Sequence, residues 1–326
     1  MSSEAMTEDE RRRVTAIRTT VKAHAEALFA RHPWLRHQDA IGFSIMLLAL
    51  GGSVGIAAAY ARAAVPAWLA VVTIAFFGSL FHELEHDLLH DLYFKEKKSV
   101  QNTMMLVCWL ARPNLMNPWA RKYIHRHHHR VSGTRTDVEE IAATNGMPMG
   151  PRRLLMMSCR TVRVLLSKSR TKAMVIDGVT IRHSWRDLPE TVFDWLLVAW
   201  LARSLLHAFG VVLPGEQLDF VAVVLLLPNL LRRYCLFFIT SNNHYHGDVR
   251  NLLEQTQVLD HWIFLPLNLF CFNFGATHAI HHFVVRQPFY VRQWIAPAAH
   301  RVMKENGVRF NDLGTFARAN RYRAAA

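Results

Sequence analysis

Nineteen histidines occur in the 326 residues, and twelve of them fall in four short windows. The first reads His82-Glu83-Leu84-Glu85-His86-Asp87-Leu88-Leu89-His90, and the second His125-Arg126-His127-His128-His129. The third reads Asn242-Asn243-His244-Tyr245-His246-Gly247-Asp248, and the fourth His278-Ala279-Ile280-His281-His282. Residues at i, i+3 and i+4 share one face of a helix. His82 and His86 have that spacing, as do His86 and His90, His125 with His128 and His129, and His278 with His281 and His282. Each of these three windows can aim two or three imidazoles at one point. Neutral imidazole is a good ligand for zinc, copper, iron and nickel. A single metal takes about four to six ligands and the windows offer more, which points to two metals.

The members are not equivalent. His82, His86 and His90 lie on one stripe and compete for fewer places, with His86 common to both pairings. His127 faces away from the side its neighbours share. His24, His32, His37, His183, His207, His261 and His300 belong to no window and are read as ordinary surface or core histidines. The stretch His82-Glu83-Leu84-Glu85-His86 also fits the His-Glu-x-x-His pattern of zinc proteases. That reading needs one more ligand and leaves two windows without a purpose.

Something must hold these windows in register. Half of the chain is apolar, yet 19% is charged, so the apolar residues are concentrated. They gather at 40–60, 65–81, 192–213 and 218–231, the last extended by 232–240. These lengths suit helices that cross a hydrocarbon core of about 30 Å. The expected architecture is all-α: a four-helix transmembrane bundle with a cytoplasmic helical cap that carries the windows. Residues 103–111 and 259–275 are apolar but short or interrupted, and are expected to lie at the interface. A helix is expected over 151–169 within a surface excursion. The division expected is a polar amphipathic tail over 1–38, a membrane domain over 39–305 and a basic tail over 306–326.

Charge sets the orientation. Residues 1–38 hold seven Lys and Arg, 82–190 eighteen and 241–326 nine, whereas 61–64 holds Arg62 alone and 214–217 none. This bias places both termini and all four windows in the cytoplasm, as in a multi-pass protein of a bacterial inner membrane. It also accounts for the net charge of +13 through anionic lipid, with no nucleic-acid partner. The first 38 residues show no secretory leader pattern. Cys108, Cys159, Cys235 and Cys271 form no Cys-x-x-Cys pair, which argues for reduced thiols and against a zinc ribbon or a fused iron–sulfur carrier. Arg232 and Arg233 are expected to snorkel to the interface, where they would meet a headgroup, CoA or carrier-protein phosphate. Arg203 lies inside a membrane segment and is a functional candidate without an assigned role.

In order and topology, the windows resemble the histidine boxes of the membrane fatty acid desaturase superfamily. The resemblance covers about residues 65–305. His82/His86 or His86/His90, then His125/His128/His129, then His278/His281/His282 match the three boxes. The flanking His-His-x-x-Ser-Gly-Thr with Asp137 is similar to the segment after box two, and His281-His282-Phe-Val-Val-Arg-Gln-Pro-Phe-Tyr290 to that after box three. A further metal-binding histidine of acyl-CoA desaturases stands three residues before a glycine, as His244 does before Gly247. The asparagine usual four residues earlier is Thr240 here, with Asn242 and Asn243 close by, so His246 is held in reserve.

The resemblance implies a di-iron centre that activates O2 and removes hydrogen from an unactivated C–H bond of an acyl chain. His82, His86, His90, His125, His128, His129, His244, His278, His281 and His282 are its implied ligands. Asp87, Asp91, Asp137, Asp248 and Asn242 are candidates to support them. Trp109, Trp119, Phe237, Phe238, Phe270 and Phe274 are candidates to line an acyl channel. The substrate implied is an acyl lipid, acyl-CoA or acyl-carrier protein. Neither a haem segment, a cysteine set for a [2Fe–2S] cluster nor a Gly-x-Gly-x-x-Gly turn is found, so electrons are expected from an external ferredoxin, rubredoxin or cytochrome with its reductase. His-Glu-Leu-x-His and His244-Tyr245 are also similar to alkane hydroxylases, which keeps a hydroxylase or ketolase of alkanes, carotenoids or other lipids as the alternative. A metal store or transporter would need polar residues along the membrane helices, and these are scarce.

Overall fold

The computed structural model describes residues 6–158, 174–176, 179–181 and 187–323. The regular elements among those residues are helices apart from a short antiparallel pair, β1 (Met174–Ile176) and β2 (Val179–Ile181). Helix α1 (Glu8–Arg31) starts on a capping box. Thr7 accepts from the Glu10 amide, and the Glu10 carboxylate accepts from the Thr7 amide at 2.8 Å. Its buried stripe of Val14, Ile17, Val21 and Ala25 packs on α12 (Phe289–Glu305).

Helices α2 (Gln38–Ala61) and α3 (Ala67–Leu89) form a hairpin. They approach closely because a glycine stands at the contact: a Cβ on Gly52 would collide with the Phe77 ring of α3. Only 17% of the most apolar stretch of α2 is buried; Leu47, Leu48 and Val54 face outward. An apolar surface that large suits lipid rather than water. The lower half of α3 is buried without a break from Ser79 to Leu89 and carries the first window.

Next come α4 (Lys98–Ala111), α5 (Pro118–Val131), α6 (Val138–Ala142) and α7 (Pro151–Ser158). The helix expected over 151–169 is present as α7, and its remainder lies outside the described residues. Helix α8 (Leu188–Ala208) is followed by α9 (Glu216–Asn243), which contains a π turn at Ala222–Leu226. Pro228 sits just after that turn and has no amide to offer the carbonyl four residues back, which favours the wider winding there. Residues Leu265–Leu269 form α10 and Phe274–Phe283 form α11.

Three helices, α2, α3 and α9, are long and apolar enough to cross a membrane. The fourth span expected from the sequence, α8, does not reach that apolarity; Asp194 and Arg203 interrupt it. Instead, residues Trp262–Leu269 and Phe274–Phe283 qualify together as a broken span or re-entrant loop bent by 86°. The segment expected to lie at the interface is thus sharply bent, and its second half carries the fourth window.

Candidate metal centre

Four elements supply the histidines. The first window continues α3 to its last turn, so His82, His86 and His90 descend one face. The second is α5, whose start is fixed by Asn117: its side-chain oxygen accepts from the amides of Trp119 and Ala120 at 3.0 and 3.3 Å. His244 caps the end of α9, and the fourth window is α11. The windows therefore meet where α3 and α9 end.

Eight histidines form two groups. His86, His90, His125 and His281 make one; His128, His244, His278 and His282 make the other. Within each group the candidate ligand atoms all lie within 4.8 Å of one another. In the first, the Nε2 of His90 is 2.9 Å from that of His125 and 3.0 Å from that of His281. In the second, the Nε2 atoms of His244, His278 and His282 are 3.1–3.2 Å apart. His129 adjoins the first group, its Nε2 3.0 Å from His281 and 3.2 Å from His125.

The remaining expected residues take other places. His82 lies outside both groups; its Nδ1 is 3.5 Å from the Arg112 guanidinium and its Nε2 is buried without a partner. His127 points towards Arg130, away from the groups. The backbone N–H of His246 donates to the Asn320 carbonyl, and its ring packs beside Gly146. Asn242 donates to the Phe238 carbonyl and Asp248 accepts from the amides of Tyr322 and Arg323, so both hold backbone rather than imidazole. Asp91 pairs with Lys98, Lys122 and Arg126. Of the six aromatic candidates, Phe274 touches the histidines, stacking on His278 at 4.1 Å. Trp109 and Trp119 instead donate to the Leu115 carbonyl and Asn102.

Support comes from Asp137 and Asp87, which the sequence had singled out, and from residues it had not. Asp137 accepts from His128 Nδ1 at 2.8 Å and from the Gly133 amide. Glu139 accepts from His125 Nδ1 at 2.9 Å, the Thr240 carbonyl from His244 Nδ1 at 3.0 Å, and Gln255 Oε1 from His282 Nδ1 at 3.2 Å. The Arg292 guanidinium lies 2.7 Å from His281 Nδ1 and donates to Glu83 and Asp87 at 3.1 and 3.2 Å. Asp87 also accepts from Tyr93 and from the Phe289 amide, so it ties α3 to α12. Glu139 follows Asp137 by two residues and could have been suspected; nothing in the types or spacing of Gln255 or Arg292 marked them.

This pattern tests the fit to a metal. A neutral imidazole carries one N–H. Where Nδ1 donates to a carboxylate or carbonyl, Nε2 is left with a bare lone pair. His244 and His282 both donate at Nδ1, yet their Nε2 atoms face each other at 3.2 Å. Two lone pairs at that distance repel unless a cation lies between them. His86 has neither ring nitrogen partnered although it is buried. An all-nitrogen set of this kind fits iron, zinc or copper.

Burial governs the charge states. It pushes His90 down to about 2 and His244 to about 3, and it lowers His125 and His129. These rings stay neutral, as ligands must be. His128 goes the other way: burial opposes its charge, but Asp137 lifts it to about 10, so a metal bound there would have to displace the Nε2 proton while Asp137 keeps the one on Nδ1. Glu139, buried as it is, is held below the usual carboxylate range by His125. The buried cation Arg112 pairs with Glu85, which Arg121 also contacts at 2.7 Å.

The chain matches the sequence model of one protein family, described as fatty acid desaturase, over residues 62–314. Among curated proteins none matches. The matched stretch begins at the turn before α3 and ends beyond α12, and so contains all four windows. The chain belongs to the fatty acid desaturase family, whose members are oxidoreductases acting on fatty acids.

Proposed function

We propose that the protein is an O2-dependent fatty acyl desaturase of the membrane with a di-iron centre. His86, His90, His125 and His281, with His129 beside them, would hold one iron. His128, His244, His278 and His282 would hold the other. The observation that carries this reading is the pair of four-histidine groups, each with its Nε2 atoms turned inward. Iron bound there would supply the activation of O2 and the removal of hydrogen from an unactivated C–H bond.

The chain's own part is positional. Asp137, Glu139, the Thr240 carbonyl and Gln255 fix the ring orientations and keep the proton on Nδ1. Arg292 restrains His281 against Glu83 and Asp87. Phe274, stacked on His278 and edge-on to His82 and His86, gives the centre an apolar wall that excludes water. The catalytic unit would span 39–305, flanked by 1–38 and 306–326, with the windows and both termini in the cytoplasm. Electrons would come from an acidic carrier protein drawn to the basic surface.

The motif His82-Glu83-Leu84-Glu85-His86 favours a second outcome on the same scaffold, hydroxylation. A zinc protease is disfavoured: His82 stands apart from His86's group, and Glu83 is engaged by Arg292. Two irons per purified chain, together with a new double bond in host lipids on expression with an electron-transfer partner, is the expected result. A new hydroxyl would select the second outcome. One zinc per chain would overturn both.

A further inference from the structure

An apolar cavity of about 190 Å³ lies between α2, α3 and α9, among residues that the metal groups do not use. Leu50 and Val54 of α2, Ile74 and Phe81 of α3 and Leu225 of α9 form most of its wall, and Arg232 lines it too. Its other polar residues are already engaged. Ser53 donates to the Ala49 carbonyl, and Asn229 to the carbonyls of Ala111 and Leu225. Arg232 is not. It is 1% exposed, its Nε and Nη1 have no hydrogen-bond partner, and its Nη2 reaches the Asn114 oxygen at only 3.4 Å. Among the described residues no carboxylate lies within 4.0 Å of it, whereas its buried neighbour Arg112 is paired with Glu85 and Arg233 donates to the Asn114 carbonyl.

The sequence suggested that Arg232 snorkels to the interface. The structure keeps it inside, eleven residues before the end of α9. At about 1.5 Å per residue that is roughly 16 Å from the helix end. A cation buried this deep with no carboxylate in direct contact is unfavourable, and such residues face a ligand or a polar pathway. The cavity is smaller than the roughly 300 Å³ at which pockets begin to engulf drug-sized ligands. It therefore takes one chain rather than two. Leu50 and Val54 on its rim are exposed, so the rest of that chain can leave between helices into lipid.

We propose that this cavity binds an unesterified fatty acid, with the carboxylate held on Arg232 and the first methylenes on the apolar wall. A guanidinium donates strong, charge-assisted hydrogen bonds to a carboxylate, and the Nε and Nη1 of Arg232 have N–H groups without an acceptor. An ester or a phospholipid tail offers no anion to this group. The site differs from the histidine groups in residues and in ligand chemistry, and it stands whether or not the desaturase reading does.

Binding of decanoate and of methyl decanoate to the purified full chain in detergent, followed by thermal unfolding and by isotope-labelled ligand, tests this. Decanoate should raise the wild-type unfolding temperature and methyl decanoate should not. Arg232→Gln should weaken decanoate about 10–100-fold and should leave the ligand-free protein as stable or more stable, because it removes an unpaired buried charge. Ala57→Phe, at another lining position, should block binding with Arg232 intact. Equal affinity for acid and ester, or unchanged decanoate affinity in Arg232→Gln, would overturn the proposal. Iron content measured on the same samples keeps its failure separate from failure at the histidine centre.

Discussion

His82 is the residue on which the ten-ligand reading and the geometry part company. Spacing alone makes it the equal of His90, since both stand four residues from His86. The structure turns His90 towards His125 and His281 and leaves His82 beside Arg112. His82→Ala is accordingly expected to retain both irons in metal analysis, whereas His128→Ala or His282→Ala should drop the content to about one and abolish product. The supporting carboxylates act through the rings they orient. Glu139→Gln and Asp137→Asn should each weaken metal retention by about 10–100-fold in chelator competition. Acid should act on the metal-free protein through the same rings. His244 and His90 titrate near 3 and 2 when folded, against 6.5 when free, so the unfolded chain takes up protons first. The contribution of these two rings is then full above about pH 6.5 and declines as pH falls towards 3, while that of His128, lifted to about 10, is full below about pH 6.5 and is lost as pH rises towards 10. Thermal unfolding across pH 4–8 after iron removal would show the acid limb; a flat profile would count against it. Histidine type and spacing made the two histidine groups legible, but Gln255 and Arg292 were not, because a residue brought in by tertiary packing carries no local periodicity.

Among the elements, α2, α3 and α9 were legible as long apolar runs. Two readings changed. Asp194 and Arg203 leave α8 less apolar than α2, α3 and α9, and Arg203 pairs with Asp219 at 2.7 Å. Residues 259–275 look too interrupted to enter lipid, yet the polar members are used internally. Asn268 accepts from the Gly275 amide and donates to the Leu259 carbonyl, which lets the chain reverse by 86°. Hydropathy counts such a residue as a cost because it cannot see its partner. Helix α5 holds three of the nine inward histidines and depends on its first turn. Asn117→Ala, which removes the side-chain cap from α5, should cost about 1 kcal/mol in unfolding experiments and lower iron occupancy by loosening the second window.

At the scale of the molecule, the hydrophobic packing is divided. One cluster joins α1, α11 and α12; another joins α2, α3 and α4; a small one joins α8 and α9. The histidine groups sit between the first two, with Asp87 and Arg292 bridging α3 and α12 across them. Stripping iron with a chelator should therefore lower the unfolding temperature of the whole chain rather than of one segment, and re-added iron should restore it.

The separation of the ligands along the chain has one more consequence. His90 and His281, 3.0 Å apart in space, are 191 residues apart in sequence, and each group takes at least one histidine from α11. While the chain is being made, neither group is complete until α11 has emerged and doubled back. Both sites thus mature together and late, as the closing stitch of synthesis, and a nascent chain halted before residue 278 presents only half-built pockets.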